Sequence, residues 1–141
     1  MKIKQQHVIE SVCNALQYIS YYHAPDFIQA MTNALDKETH QSAKNAIAQI
    51  LINSKMSALG QRPMCQDTGI VNVFVEVGMD VTWEAELSLE DMINEGVRQA
   101  YTSSDNPLRA SIVEDPLFAR SNTKDNTPAV IHMKVVKGNT V

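Results

Sequence analysis

The sequence predicts an α+β protein, with an N-terminal helical layer packed on a small mixed or antiparallel sheet. Up to Gly60, apolar residues recur at helical spacing. Beyond it, two runs alternate as strands do, Ile70 to Val77 and Ala129 to Val136. A capped helix starting near Ser88 lies between those runs and crosses from one strand to the other.

The first helix is expected from about Val8 to Tyr22, because Val8, Val12, Leu16 and Ile19 form one stripe. His23-Ala24-Pro25-Asp26 interrupts it. Pro25 suits the first position of a second helix and Asp26 its positive end. Phe27, Met31, Ala34 and Leu35 make the apolar side of that helix. A third helix runs from about Glu38 to Leu59 on Ala43, Ala46, Ile47, Ile50, Leu51 and Met56, with Gly60 as its expected cap. These helices carry no recognisable chemistry. His7, His23 and His40 stand singly, without metal-ligand spacing.

Gly78-Met79-Asp80 reads as a turn and Val81 to Glu86 as a short edge strand. Ser88 is the expected cap of a helix reaching Thr102, with Glu90 and Asp91 in its first turn. Ser103-Ser104-Asp105-Asn106-Pro107 ends that helix, and a long polar connection leads to the last strand. Gly138-Asn139 reads as a turn into a further strand. A strand–turn unit stopping at Val141 suggests that residues 1–141 form a single domain at the front of a longer protein.

Composition narrows the function. With 141 residues, 44% hydrophobic and 20% charged, the chain has the make-up of a globular domain with its own core. A net charge of −4, with no basic run, argues against a nucleic-acid partner. No apolar stretch approaches the roughly 20 residues of a membrane span, and no signal-peptide pattern opens the chain. Only Cys13 and Cys65 are present, which fits a reducing, cytoplasmic setting, and no disulfide is expected between them.

The richest stretch is Pro63-Met64-Cys65-Gln66-Asp67-Thr68-Gly69. Pro63 biases Arg62 towards extended backbone, and Gly69 permits geometry closed to other residues. A thiol, an amide, a carboxylate and a hydroxyl therefore fall on one turn between a helix and a strand, a common setting for a site. By themselves, Cys65 reads as a structural thiol, and Gln66 and Asp67 as turn residues that satisfy local backbone. A second polar block comprises Leu108-Arg109-Ala110-Ser111, Asp115-Pro116-Leu117 and Asn122-Thr123-Lys124-Asp125-Asn126-Thr127-Pro128. In it, Arg109 would ordinarily be a solvated loop cation, and the Asn/Asp/Thr-rich part a surface loop.

These two blocks, in this order and with these helices around them, resemble the iron–sulfur-dependent hydro-lyases, the class I fumarases and L(+)-tartrate dehydratase α subunits. The resemblance covers essentially the whole chain, as the N-terminal portion of such an enzyme. It implies that Cys65 is one of three thiolates binding a [4Fe-4S] cluster, whose open iron acts as a Lewis acid. It implies substrate contacts for Gln66, Asp67 and Arg109, with Asp67 also in proton transfer and Arg109 clamping a carboxylate. The parent activity it implies is reversible hydration of fumarate to L-malate, with L(+)-tartrate dehydration as the sister reaction. It further implies completion by a C-terminal region or a β subunit, and a homodimeric parent.

Cys13 does not match a ligand position, so this chain offers one of the three expected sulfurs. The competing reading is a non-catalytic fragment or interaction module that needs the rest of the chain or a partner. An unrelated thiol enzyme pairing Cys65 with a histidine has no second motif to support it.

Overall fold

The computed structural model describes residues 2–65 and 69–141. The elements, in order, are β1 (Lys2–Lys4), α1 (Gln5–Tyr21), α2 (Pro25–Lys37), α3 (Gln41–Gly60), β2 (Asn72–Gly78), β3 (Thr82–Glu84), α4 (Leu89–Tyr101) and β4 (Val130–Val136). The α+β class expected from the sequence is what the structure shows. The chain divides into two compact units, Met1–Leu16 with Gln66–Val141, and Gln17–Cys65.

The first unit holds β1 to β4. β2 and β4 pair in register from Asn72↔Val130 to Gly78↔Val136, and β1 pairs with β3 from Lys2↔Thr82 to Lys4↔Glu84. Both ladders are parallel, which corrects the expected antiparallel or mixed sheet. The reason lies in the connections. A parallel pair needs a crossover of a dozen or more residues, and β3, α4 and the long loop supply one between β2 and β4. β1 is an addition to the expected elements; a three-residue Lys-Ile-Lys strand has no periodicity to reveal it. Gly138-Asn139-Thr140 does turn, but among the described residues it leads to no further strand. It folds back on the end of β2, where Gly78 N–H donates to Thr140 O at 2.9 Å and Asp80 N–H to Gly138 O at 2.8 Å.

The β2–β4 register sorts the side chains. Val73, Val75, Val77, Ile131, Met133 and Val135 share one face. On the other, Phe74 stacks on His132 with ring centroids 4.6 Å apart, and Lys134 Nζ pairs with Glu76 Oε1 at 2.8 Å. His132 and Lys134, on the polar side of β4, therefore make cross-strand pairs.

The core sits on α4. Ser88 caps it as expected, accepting from the Asp91 N–H. Met92, Ile93, Val97 and Ala100 are buried along its inner stripe, with Ile3, Ile9 and Val71. Gly96 lies where α1 crosses: a Cβ there would sit 2.7 Å from the Ile9 carbonyl oxygen and 2.7 Å from the Val12 Cβ. In an open helix Gly→Ala stabilises by roughly 0.5–1 kcal/mol. Overpacking costs about 1–3 kcal/mol, so Gly96→Ala is expected to destabilise. A lower melting temperature checks this; a raised one would mean that the helices do not approach so closely.

In the second unit Pro25 opens α2 as expected. Gln61, not Gly60, takes the left-handed cap of α3, with φ 47°. Gly60 is the last helical residue, so the stop falls one position later than the glycine suggested. His23 Nδ1 meets Ser54 Oγ at 3.0 Å, and the His23 ring stacks on Phe27. No apolar side chain described here is fully buried; Ile52, Met56 and Leu59 are exposed by 57%, 67% and 78%. The stripes expected on α2 and α3 are thus only partly covered.

Candidate functional site

The residues on either side of 66–68 belong to different units. In the second unit, the chain leaves α3 through Gln61 and reaches Met64, whose two backbone groups are both tied. Met64 N–H donates to Ser20 O at 2.9 Å, and Asn53 Nδ2 donates to Met64 O at 3.1 Å. The residue before the thiol is therefore pinned to α1 and α3. Cys65 follows it as an exposed free thiol. Gln66 and Asp67, expected to face substrate, lie outside the described residues, as does Thr68.

Cys13 contrasts with Cys65. It lies on α1, half-buried, and burial pushes its thiol up from the ordinary cysteine range. A ligand must be deprotonated, so Cys13 is poorly placed to serve as one. No group of three or more His, Cys, Asp or Glu residues that could hold a metal is found among the described residues. The donor chemistry of Cys65, an exposed thiol, fits one sulfur ligand of a cluster.

In the first unit, Gly69 begins the other end. Its carbonyl accepts from Asn126 Nδ2 at 3.2 Å and from Ser111 Oγ at 3.4 Å. Asn126 is 0% exposed, and its Oδ1 accepts from the Ser111 N–H at 2.8 Å and the Ile112 N–H at 3.2 Å. It holds φ 60°, a left-handed conformation that asparagine tolerates better than most residues. One buried amide thus joins the end of the first sequence block to the start of the second. The sequence marked the stretch Asn122–Thr127 as dense in polar groups but did not single out this residue. Tolerance of positive φ was the available signal, and Asn122 carried it equally.

The rest of the second block is a self-bonded loop. Asn122 Nδ2 donates to Ala110 O at 2.9 Å, the Thr123 N–H to Ile112 O at 2.9 Å, and the Glu114 N–H to Ser121 O at 2.8 Å. Asp115 closes the intervening turn by accepting from the Phe118 and Ala119 N–H groups. Arg109 is exposed, two residues before the Ser111 amide that Asn126 holds.

α4 anchors the loop's exit. Asn94 Oδ1 accepts from the Ala129 N–H at 2.8 Å, at the mouth of β4. Arg98 Nε donates to Asp125 Oδ2 at 3.0 Å, while Asp125 Oδ1 takes the Thr127 N–H and hydroxyl. Burial alone would raise the Asp125 carboxyl, but the Thr127 donors and Arg98 outweigh it and hold the group below the usual carboxylate range. A carboxyl depressed in the folded state gives stability that is full above its unfolded value near ~3.9 and is lost as the pH falls through its native value. Asp125→Asn is therefore expected to flatten the loss of stability in acid below about pH 4. Denaturation midpoints across that range check it; identical acid slopes in the two proteins would count against the assignment.

One concave feature of this unit lies away from Arg109. An apolar cavity of about 320 Å³ is lined by Ile3, Val8, Val12, Val73, Val75 and Ile93 among others. Among the described residues, neither Cys65 nor Arg109 lines it.

Comparison with known proteins bears on the same blocks. The family model described as "Fumarate hydratase (Fumerase)" matches residues 9–141. A Methanocaldococcus jannaschii protein named "Putative L(+)-tartrate dehydratase subunit alpha" is 31% identical over 119 residues, covering 84% of this chain and 40% of that protein. The L(+)-tartrate dehydratase subunit alpha of Escherichia coli K12 is 32% identical over 127 residues, covering 88% of this chain and 40% of its own. The Shigella boydii serotype 4 subunit of that name matches to the same extent, 32% over 127 residues, 88% and 40%. The chain therefore spans about 40% of the length of these curated relatives. With a family model running almost from end to end, this chain belongs to the fumarate hydratase (Fumerase) family.

Proposed function

We propose that the chain is the N-terminal portion of an iron–sulfur-dependent hydro-lyase that reversibly hydrates fumarate to L-malate. The observation that carries this is Cys65, an exposed thiol straight after a residue whose backbone is fixed on both sides. Cys65 would hold one corner of a [4Fe-4S] cluster. When bound, that group supplies an iron with open positions, a Lewis acid towards a hydroxyl and a carboxylate.

The chain's own residues have the remaining work. Arg109 offers a planar fork of donors to one carboxylate of a dicarboxylate. Gln66 and Asp67 contact substrate. Asp67 moves the proton that joins or leaves the carbon next to the hydroxyl-bearing one, so addition and loss of water balance without redox change.

The relatives named as tartrate dehydratase subunits favour a second substrate reading, dehydration of L(+)-tartrate. Their names also support a β-type partner subunit that completes the ligand set. Exposed apolar surface points the same way. Phe74, Phe118 and Val135 are 79%, 83% and 64% exposed, apolar surface open to a partner. This chain alone is accordingly inactive, a module awaiting the rest of the catalytic region, and the parent is a homodimer. Two free thiols, one of them exposed, suit a reducing cytoplasm.

Anaerobic assay of the assembled enzyme with fumarate and with L(+)-tartrate tests the reading. Faster turnover of fumarate is expected. Preference for tartrate reassigns the substrate within the family, and turnover of neither removes the proposal. In the same assay Arg109→Lys is expected to raise KM about ten-fold or more, because a lysine lacks the bidentate fork. An unchanged KM would take Arg109 out of the carboxylate site.

A further inference from the structure

We propose that Asn126 is a positioning residue that locks the Arg109–Ser111 loop to the Gly69 carbonyl, so that Arg109 meets the substrate carboxylate from a fixed place. This rests on the hydro-lyase reading above and deepens it. Asn126 touches no reacting atom in that reading; it acts through the loop it holds.

The geometry is specific. The amide uses both of its ends at once. Its oxygen takes two consecutive loop N–H groups, Ser111 at 2.8 Å and Ile112 at 3.2 Å. Its nitrogen reaches 3.2 Å to the Gly69 carbonyl, 57 residues back along the chain. Only one orientation of the amide satisfies these contacts, and no carboxylate can, because the Gly69 carbonyl needs a donor. Full burial excludes water that would otherwise stand in for a lost partner. Ser111 Oγ adds a weaker tie to the same carbonyl at 3.4 Å. Ala110 alone stands between Ser111 and Arg109, so freedom gained at the first is transmitted directly to the second.

Asn126→Asp is the selective test. It keeps an acceptor for Ser111 and Ile112 but turns an oxygen towards the Gly69 carbonyl, opening one side of the clamp. In the assembled enzyme, kcat/KM for fumarate and for L(+)-tartrate is measured in wild type, Asn126→Asp, Arg109→Ala and the double variant. The single Asn126→Asp change is expected to lower kcat/KM on the order of ten- to a hundred-fold, chiefly through KM, because a misplaced binding group loses its orientation. In the Arg109→Ala background the same change is expected to cost no more than about two-fold, since the group it positions is gone.

If Asn126→Asp does not fold, Ser111→Ala replaces it, with a smaller loss that also vanishes without Arg109. Multiplying losses in the double variant, or a fall in kcat at constant KM, would overturn the positioning role while leaving the hydro-lyase reading in place. A wild-type enzyme that turns over neither dicarboxylate removes both.

Discussion

Replacing Cys65 by serine in the assembled enzyme is expected to cut kcat/KM for its dicarboxylate by at least about a thousand-fold. That corresponds to ~4 kcal/mol of transition-state stabilisation at about 1.36 kcal/mol per decade. The size follows from the role proposed. A hydroxyl is a far poorer iron ligand than a thiolate, and no cluster of three His, Cys, Asp or Glu that could hold a metal stands among the described residues. Cys13 is half-buried on α1 with its thiol pushed up by burial, so it offers no substitute. Folding is a separate matter. Cys65 is exposed, so the serine variant is expected to melt within a degree or two of wild type. A large activity loss without a stability loss is the signature of a ligand. Equal losses in both would make Cys65 a structural thiol, as its residue type alone suggests.

The largest stability effect is expected at Asn126. Asn126→Ala takes the amide acceptor from the Ser111 and Ile112 N–H groups, and one donor from the Gly69 carbonyl, which keeps Ser111 Oγ. A buried group left unpaired costs about 1–3 kcal/mol. Some relaxation will spare part of the sum. Alanine at φ 60° adds roughly 1–2 kcal/mol of backbone strain. A total of about 3–5 kcal/mol is therefore expected from urea unfolding. Asn126→Gly separates the terms: it relieves the strain but restores no bond, so it should recover only about 1–2 kcal/mol. Full recovery with glycine would mean that the amide's bonds contribute little.

Much of this molecule was legible in its sequence, for reasons that can be named. Ser88 followed by Glu90 and Asp91 is a helix start that local chemistry decides, and α4 begins there. Pro25 decides the start of α2 in the same way. The alternation Ile131, Met133, Val135 against Val130, His132, Lys134 is the face assignment that the β2–β4 register shows. Strand direction was not legible. Alternation says which side chains share a face, and it is the same for parallel and antiparallel partners. The left-handed cap on Gln61 was missed because Gly60 is the residue that usually takes that place.

The candidate site was legible as two blocks of residues but not as a structure. Cys65 and Arg109 were named from resemblance, and both stand exposed outside helices and strands. What joins Gly69 to Ser111 is an asparagine whose neighbours look just as suitable in one dimension. Burial separates Asn126 from Asn122, and burial of a polar residue is a tertiary outcome. The same holds for Asp125, which resembles any loop aspartate until Arg98 from α4 is placed beside it.

The most direct measurement is iron per chain in the assembled, anaerobically reconstituted enzyme, wild type against Cys65→Ser. Wild type is expected to bind a [4Fe-4S] complement with the broad visible absorption of thiolate-ligated iron, and the serine variant to lose it. Full iron and an unchanged visible spectrum in the variant would contradict the assignment of Cys65 to the cluster.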